Sequence, residues 1–179
     1  MELAQLRIQV FAEYPYLYDG SLEYEQGYLR SLAEARNSIM VVAFDGDRVV
    51  GVSTGLPLNF EPMDVKGAWV QAGFPIDKIF YFSESVLLKE YRNQGIGEQF
   101  FSVREAWAKQ QGYLTLVFCC VIRDEDDPRQ PADYKPLDGF WRNRGFVPKV
   151  GFTATIPWKE VGENSETDKE LQFWWKVAR

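Results

Sequence analysis

"EYRNQGIGEQFF", residues 90–101, sets two glycines, Gly95 and Gly97, against the start of an apolar periodic segment, with Arg92 three residues ahead of the first glycine. Before it, "KIFYFSESVLL", 78–88, is rich in aromatic and β-branched residues and reads as a strand. After it, Ile96, Phe100, Val103 and Trp107 recur at helical spacing until about Gly112. A strand, a glycine turn and a helix bring several unpaired backbone N–H groups together at a helix start. With the positive end of the helix dipole they make an anion site, and glycine lets a large anion approach the backbone closely. The competing reading is a tight turn with no ligand. Two common phosphate motifs do not fit: a dinucleotide fingerprint needs a small residue where Phe100 stands, and a P-loop needs Gly-Lys-Ser/Thr.

The rest of the chain supplies an α/β setting for that loop. Residues 2–13 read as a helix carrying Leu3, Leu6 and Val10, broken by "YPYLYDG", and helix resumes after Ser21, a plausible N-cap, to about Ala35. "SIMVVAFDGDRVVGVSTGLPL" reads as a hairpin, two β-branched runs around the tight turn Asp45-Gly46. A short helix is expected near Met63 to Ala72. "YLTLVFCCVI", 113–122, is apolar on both faces and so reads as a central strand. An acidic loop from Arg123 to about Pro136 follows, then a short helix in "LDGFWRNRGF" stopped by Gly145, and two closing strands, "GFTATIPW" and "LQFWWKVA". This order predicts a mixed α/β sheet flanked by helices in a single domain spanning residues 1–179.

Composition narrows the function. Formal net charge is −6, from 26 acidic and 20 basic residues, which argues against general nucleic-acid binding and mildly favours a cationic or neutral partner. The chain has no histidine, so His-based triads are excluded and a zinc site is not expected. Its two cysteines, Cys119 and Cys120, are adjacent, and neighbours on a strand point to opposite faces, so no bridge between them is expected. No apolar run approaches a membrane span and no signal peptide is visible, so a cytoplasmic location without membrane partners is expected.

What remains at the loop is Arg-x-x-Gly-x-Gly between a strand and an amphipathic helix, and about fifty residues later "FWRNRGF", 140–146, puts an aromatic pair ahead of Gly-Phe. Here the chain resembles the GNAT N-acetyltransferase superfamily, bacterial-type small acetyltransferases, whose pyrophosphate motif is matched by Arg92, Gly95 and Gly97. The resemblance covers about residues 38–158. It departs where the chain opens on a helix rather than a strand, and where the loop 123–136 is longer and more acidic than usual.

The resemblance implies a largely antiparallel sheet with a central splay, here between 81–88 and 114–121, in which the pantetheine of an acyl-CoA, most often acetyl-CoA, would lie. The cofactor-binding set it implies is Leu87, Leu88, Arg92, Asn93, Gln94, Gly95, Ile96, Gly97, Glu98 and Trp141. Main-chain groups of Leu87 and Leu88 would face the pantetheine and the thioester carbonyl. Amides from Gln94 to Glu98 would hold the pyrophosphate, with the Glu98 side chain turned away. An amine acceptor, most simply a small cationic amine, would lie between Tyr14, Tyr16, Tyr18 and Asp19 on one side and Asp124 to Asp127 on the other.

Attack on the thioester needs a neutral amine, so a base near the splay is expected. Strict alternation puts Glu84 on a face with Phe80, Phe82, Val86 and Leu88, apolar company that favours a base; a glutamate on a solvated edge or in a structural ion pair is the competing reading. The family often carries a tyrosine acid where this chain has Trp141, leaving Tyr134 as the candidate acid, with a thiolate that leaves without an acid as the alternative. An acyl-cysteine at Cys119 has no histidine to activate it. The rival function is a non-catalytic acyl-CoA sensor or interaction module. Monomer and homodimer are both open.

Overall fold

The computed structural model describes residues 2–177. The elements run α1 (Glu2–Phe11), α2 (Leu22–Glu34), β1 (Ile39–Asp45), β2 (Arg48–Pro57), α3 (Met63–Gln71), β3 (Ile79–Leu87), α4 (Ile96–Gln110), β4 (Thr115–Val121), α5 (Asp138–Arg142), β5 (Val147–Trp158) and β6 (Thr167–Val177). The order is the expected one, with termini shifted by a few residues; the expected end of the last strand, Ala178, lies outside the described residues. Ser21 caps α2 by accepting from the Tyr24 amide. Gly46 takes a positive φ of 58° in the β1–β2 turn.

Six strands form one sheet in the order β1-β2-β3-β4-β6-β5, antiparallel except for β3 with β4. Among the described residues no strand precedes α1, and the β1–β2 hairpin supplies that edge of the sheet. Helices α1, α2 and α3 cover one face, where Leu6, Leu32, Val65 and Trp69 pack on Val50, Val52, Tyr81 and Val117. Helices α4 and α5 cover the other, where Phe101, Ala108 and the partly buried Trp141 pack on Phe80, Phe82, Leu116 and Phe118. Cys119 and Cys120 belong to opposite faces, both free.

The buried stripe of α4 differs from the sequence reading. Phe100, Phe101, Arg104 and Ala108 turn inward, while Val103 is exposed. Arg104 is 1% exposed yet faces no carboxylate. Its guanidinium donates to the carbonyls of Phe100, Thr54 and Glu84 and to Ser85 Oγ, and lies 4.2 Å from the Phe82 ring centre. Burial lowers its pKa to about 9.

Two irregularities in β3 shape everything that follows. Strands β3 and β4 pair only through Ile79–Tyr81 with Thr115–Val117, so from Phe82 and Phe118 onward they part. This is the expected splay. Against β2, Thr54 faces Glu84 and Leu56 faces Tyr81, two steps on one strand against three on the other. That is a β-bulge, and Arg104 clamps it from below.

Candidate functional site

The glycine loop is built to receive an anion. Asn93 and Gly95 take left-handed φ values of 61° and 84°, and Gly95 stands at the N-cap of α4. The first bond into the helix runs from the Gln99 amide to the Gly95 carbonyl at 3.1 Å. Among the described residues, the amides of residues 93 to 98 have no acceptor on the protein. These consecutive donors at a helix start are what a pyrophosphate needs. A Cβ at Gly97 would stand 3.4 Å from the Phe140 ring, so glycine keeps the floor of the loop low. Glu98 is drawn aside by Arg144, whose guanidinium meets its carboxylate at 2.7 Å and lies 3.6 Å from the Phe140 ring centre.

Arg92 stands beside this cradle but is engaged by the protein. Its Nε donates to the Leu87 carbonyl at 3.0 Å and its guanidinium meets Glu13 of the segment after α1 at 2.9 Å. It ties the end of β3 to α1 and shapes the turn. Trp141 packs against Phe118 and Trp174, with ring centres 5.0 Å from each. The aromatic nearest the loop is its neighbour Phe140, which the sequence reading passed over.

The edge of β3 facing the gap is partly open. The Leu88 amide donates to the Val50 carbonyl at 3.0 Å, so it is not free to donate to a thioester; the expectation for Leu88 is corrected here. Antiparallel pairing alternates, so Leu88 and Val86 turn their main-chain groups to β2, and Leu87 and Ser85 turn theirs to the gap. Leu87 therefore keeps its amide toward the splay, while its carbonyl accepts from Arg92.

The bulge also overturns the expected company of Glu84. Phe80 and Phe82 pack with α4, whereas Val86 and Leu88 pack with α1. Glu84 follows the second group and meets Arg7 of α1. Arg7 also holds Glu25 of α2 and lies 4.3 Å from the Tyr28 ring centre. The three charged groups are 8%, 6% and 0% exposed. Strict alternation fails because the extra residue puts two consecutive side chains, Ser83 and Glu84, on the helix α1–α2 side.

Sharing Tyr28 with that triad as a neighbour is a carboxylate not singled out from the sequence. Glu61, 9% exposed, follows the short turn after β2. Burial raises its pKa to about 7, with Lys66 and the Ser83 hydroxyl pulling the other way. Nothing in "NFEPMD" sets it apart from a surface glutamate, apart from the aromatic and proline on either side.

Past the end of β4 a cavity of about 200 Å³ is lined by residues including Tyr14, Val121, Asp124, Glu125, Gln130 and Tyr134. Tyr14 and Tyr134 meet edge to face with ring centres 4.7 Å apart. Burial raises both phenols above their ordinary value, so both keep their protons at neutral pH. The rest of the expected acceptor wall is elsewhere. Tyr16 is packed on Phe11 and Trp158, Tyr18 lies beside Glu25, and Asp19 pairs with Lys159 at 2.6 Å. Asp127 is committed to Arg129, which holds its carboxyl at about 2. Arg123 and Arg129 both clasp the buried Glu160, which fixes the acidic loop as a wall. Burial pushes the Cys119 thiol up to about 12 and Cys120 to about 11, so neither is a thiolate nucleophile.

Comparison with known proteins agrees with this geometry. The fold is similar to that of a ribosomal-protein-alanine N-acetyltransferase from Brucella melitensis, at 18% identity over 98% of this chain and 93% of that one, TM-score 0.61. It is similar to a putative acetyltransferase from Acinetobacter baylyi, at 14% identity over 99% and 84%, TM-score 0.64. It is also similar to an aminoglycoside 6'-N-acetyltransferase complexed with coenzyme A, at 17% identity over 98% and 90%, TM-score 0.57. At such identities the likeness speaks for the fold alone. No curated protein sequence matches the chain. Residues 5–132 match the model of the acetyltransferase (GNAT) family, and with the splayed sheet and the open glycine loop in place, this chain belongs to the GNAT acetyltransferases.

Proposed function

We propose that the chain works as a single N-acyltransferase domain that moves an acetyl group directly from acetyl-CoA to an amine, most simply a small cationic one. The observation that carries this reading is the run of unpartnered amides at residues 93–98 beside a gap in the sheet. Asn93, Gln94, Gly95, Ile96, Gly97 and Glu98 donate main-chain N–H groups to the diphosphate, with Arg92 shaping the turn. The Leu87 amide, turned to the gap, polarises the thioester carbonyl. A backbone donor aimed at a developing oxyanion contributes about 3 kcal/mol by analogy with measured cases. The acceptor enters past Tyr14, Asp124, Glu125 and Tyr134, aromatic and acidic groups that suit an ammonium. Tyr134 donates a hydrogen bond there. A thiol of pKa about 8.5 leaves as thiolate without a strong acid. An acceptor of this sort calls for no nucleic-acid or membrane partner, and among the described residues no helix is long and apolar enough to cross a membrane.

Thermal unfolding with added CoA tests the reading. At a hundredfold excess over Kd the ligand adds about 2.7 kcal/mol, a rise in Tm of roughly 5–10 °C for a chain of this size. No rise overturns CoA binding. The sensor reading keeps one specific support, the placement of Trp141 in the core where a titrating acid would stand. A rise in Tm without CoA release from acetyl-CoA across an amine panel would decide for it.

A further inference from the structure

Glu61 is the buried carboxylate beneath α2 that has no ion pair within 4 Å among the described residues. Lys66 of α3 is its nearest cation in effect, and its ammonium donates instead to the Asn59 carbonyl at 2.8 Å. Around Glu61 stand Tyr24 and Tyr28 of α2, Tyr81 of β3 and Cys119 of β4. Burial keeps all four protonated at neutral pH, so Lys66 is the one charged group that bears on it. The Ser83 hydroxyl adjoins the carboxylate two residues past the last β3–β4 pair, inside the gap. Ser83 Oγ and Thr54 Oγ1 are both buried with no hydrogen-bond partner. The Ser83 hydroxyl faces both the Glu61 carboxylate and the Tyr28 hydroxyl, and Thr54 faces Tyr28; a buried carboxylate without an ion pair beside such a hydroxyl marks a place prepared for a small polar group. Glu84 lacks this freedom, because one of its oxygens is engaged by Arg7.

We propose that Glu61 takes the proton from the acceptor ammonium, with the Ser83 hydroxyl directing the freed amine into the gap between β3 and β4. The assignment rests on the acetyltransferase reading. The ammonium gives one proton to the Glu61 carboxylate and becomes a neutral amine. Its lone pair forms the C–N bond at the thioester carbon, the C–S bond breaks, and the pair goes to sulfur. The amine's second proton neutralises the thiolate, and Glu61 returns its own to solvent. A carboxyl near 7 is matched to this task at neutral pH. Its base form is lost as pH falls through that value, so the rate falls with it. The same raised value means that stability is lost as pH rises from the ordinary carboxyl value of 4.5 to about 7, a loss that a glutamine there does not suffer.

The test uses the full chain with acetyl-CoA and a panel of kanamycin, spermidine and an alanine-leading peptide, read by CoA release. Glu61→Gln is expected to lower kcat roughly 10²–10⁴-fold on whichever amine the native protein acetylates, and to remove the acidic limb near pH 7. CoA affinity by calorimetry is expected to stay the same. Glu84→Gln should retain the limb. Carbon-13 NMR of the native chain's glutamate carboxyls should show a resonance titrating near 7, a readout independent of any variant's fold, and a folded Glu61→Gln should lack it. A limb that persists in Glu61→Gln, or no such resonance, overturns the assignment and leaves the transferase standing. CoA binding without release from any of these amines overturns the transferase reading and the assignment with it.

Discussion

Gly97→Asp is expected to keep its fold and lose coenzyme A. At the second position of α4 a carboxylate lies among the amides of residues 93–98, which have no other acceptor on the protein. It satisfies them from within and sits at the positive end of the helix, so it adds a few tenths of a kcal/mol or more to the helix. The Gly97 backbone is not in the left-handed region, and its Cβ would meet only the Phe140 ring at 3.4 Å. The diphosphate then faces a fixed negative charge and amides already bound. Like charges in contact cost several kcal/mol, which is a loss of affinity of roughly 10²–10³-fold or more. Calorimetric titration with CoA measures it, and circular dichroism with thermal unfolding checks the fold. Gly97→Ala separates charge from bulk: it should weaken binding far less. Gly95→Asp is a poorer probe, because φ there is 84° and any side chain adds backbone strain. A Gly97→Asp protein that still binds CoA with native affinity would remove the loop from the site.

The loop was legible in the sequence because its determinants are local. Glycines between a strand and a helix leave amides free whatever the rest of the chain does, and Asp45-Gly46 specifies its hairpin in the same way. The splay was legible only through the family likeness, since nothing in "IFYFSESVLL" or "LTLVFCCVI" says where two strands part. Glu84 was misplaced for a definite reason. Alternation assumes one residue per step, and a bulge adds a residue without leaving a compositional mark. Leu88 was misassigned for a related one: which backbone groups face the gap depends on the pairing phase with β2. Glu61 was invisible because its burial is made by α2, β3 and β4, all distant in sequence.

One signal was present and unused. Leu3, Leu6 and Val10 mark the inward stripe of α1, and Arg7 occupies the i+4 place of that i, i+3, i+4, i+7 pattern. Arg104 likewise stands four residues after Phe100 on the buried side of α4. An arginine on an apolar stripe announces a buried partner. Here one arginine found two carboxylates and the other found the carbonyls of a bulge. The two grip β3 from opposite faces of the sheet at the same residue, Glu84, one by its side chain and one by its carbonyl. The bulge beside the gap is therefore held on both sides, and the site's geometry depends on charges that do no chemistry.

Arg7→Met follows from this as the largest expected loss of stability. The variant keeps the apolar length of the side chain and leaves Glu25 and Glu84 buried, close together and without a cation. Removing one partner of a buried ion cluster costs about 3–5 kcal/mol, a large fraction of the 5–15 kcal/mol that holds a typical domain. The contact of the guanidinium with the Tyr28 ring is lost as well. Urea unfolding is expected to show a midpoint lowered by that amount divided by the m-value. Replacing the whole cluster should behave differently, because apolar or neutral groups in place of all three charges are often neutral or better. Arg7→Met combined with Glu25→Gln and Glu84→Gln is expected to regain most of the lost stability. A single variant as stable as the native chain would mean that the cluster is solvated and that the bulge needs no support from α1. A triple variant that stays as unstable as the single one would mean that Arg7 acts through packing on Phe11 and Tyr28 rather than through its charge.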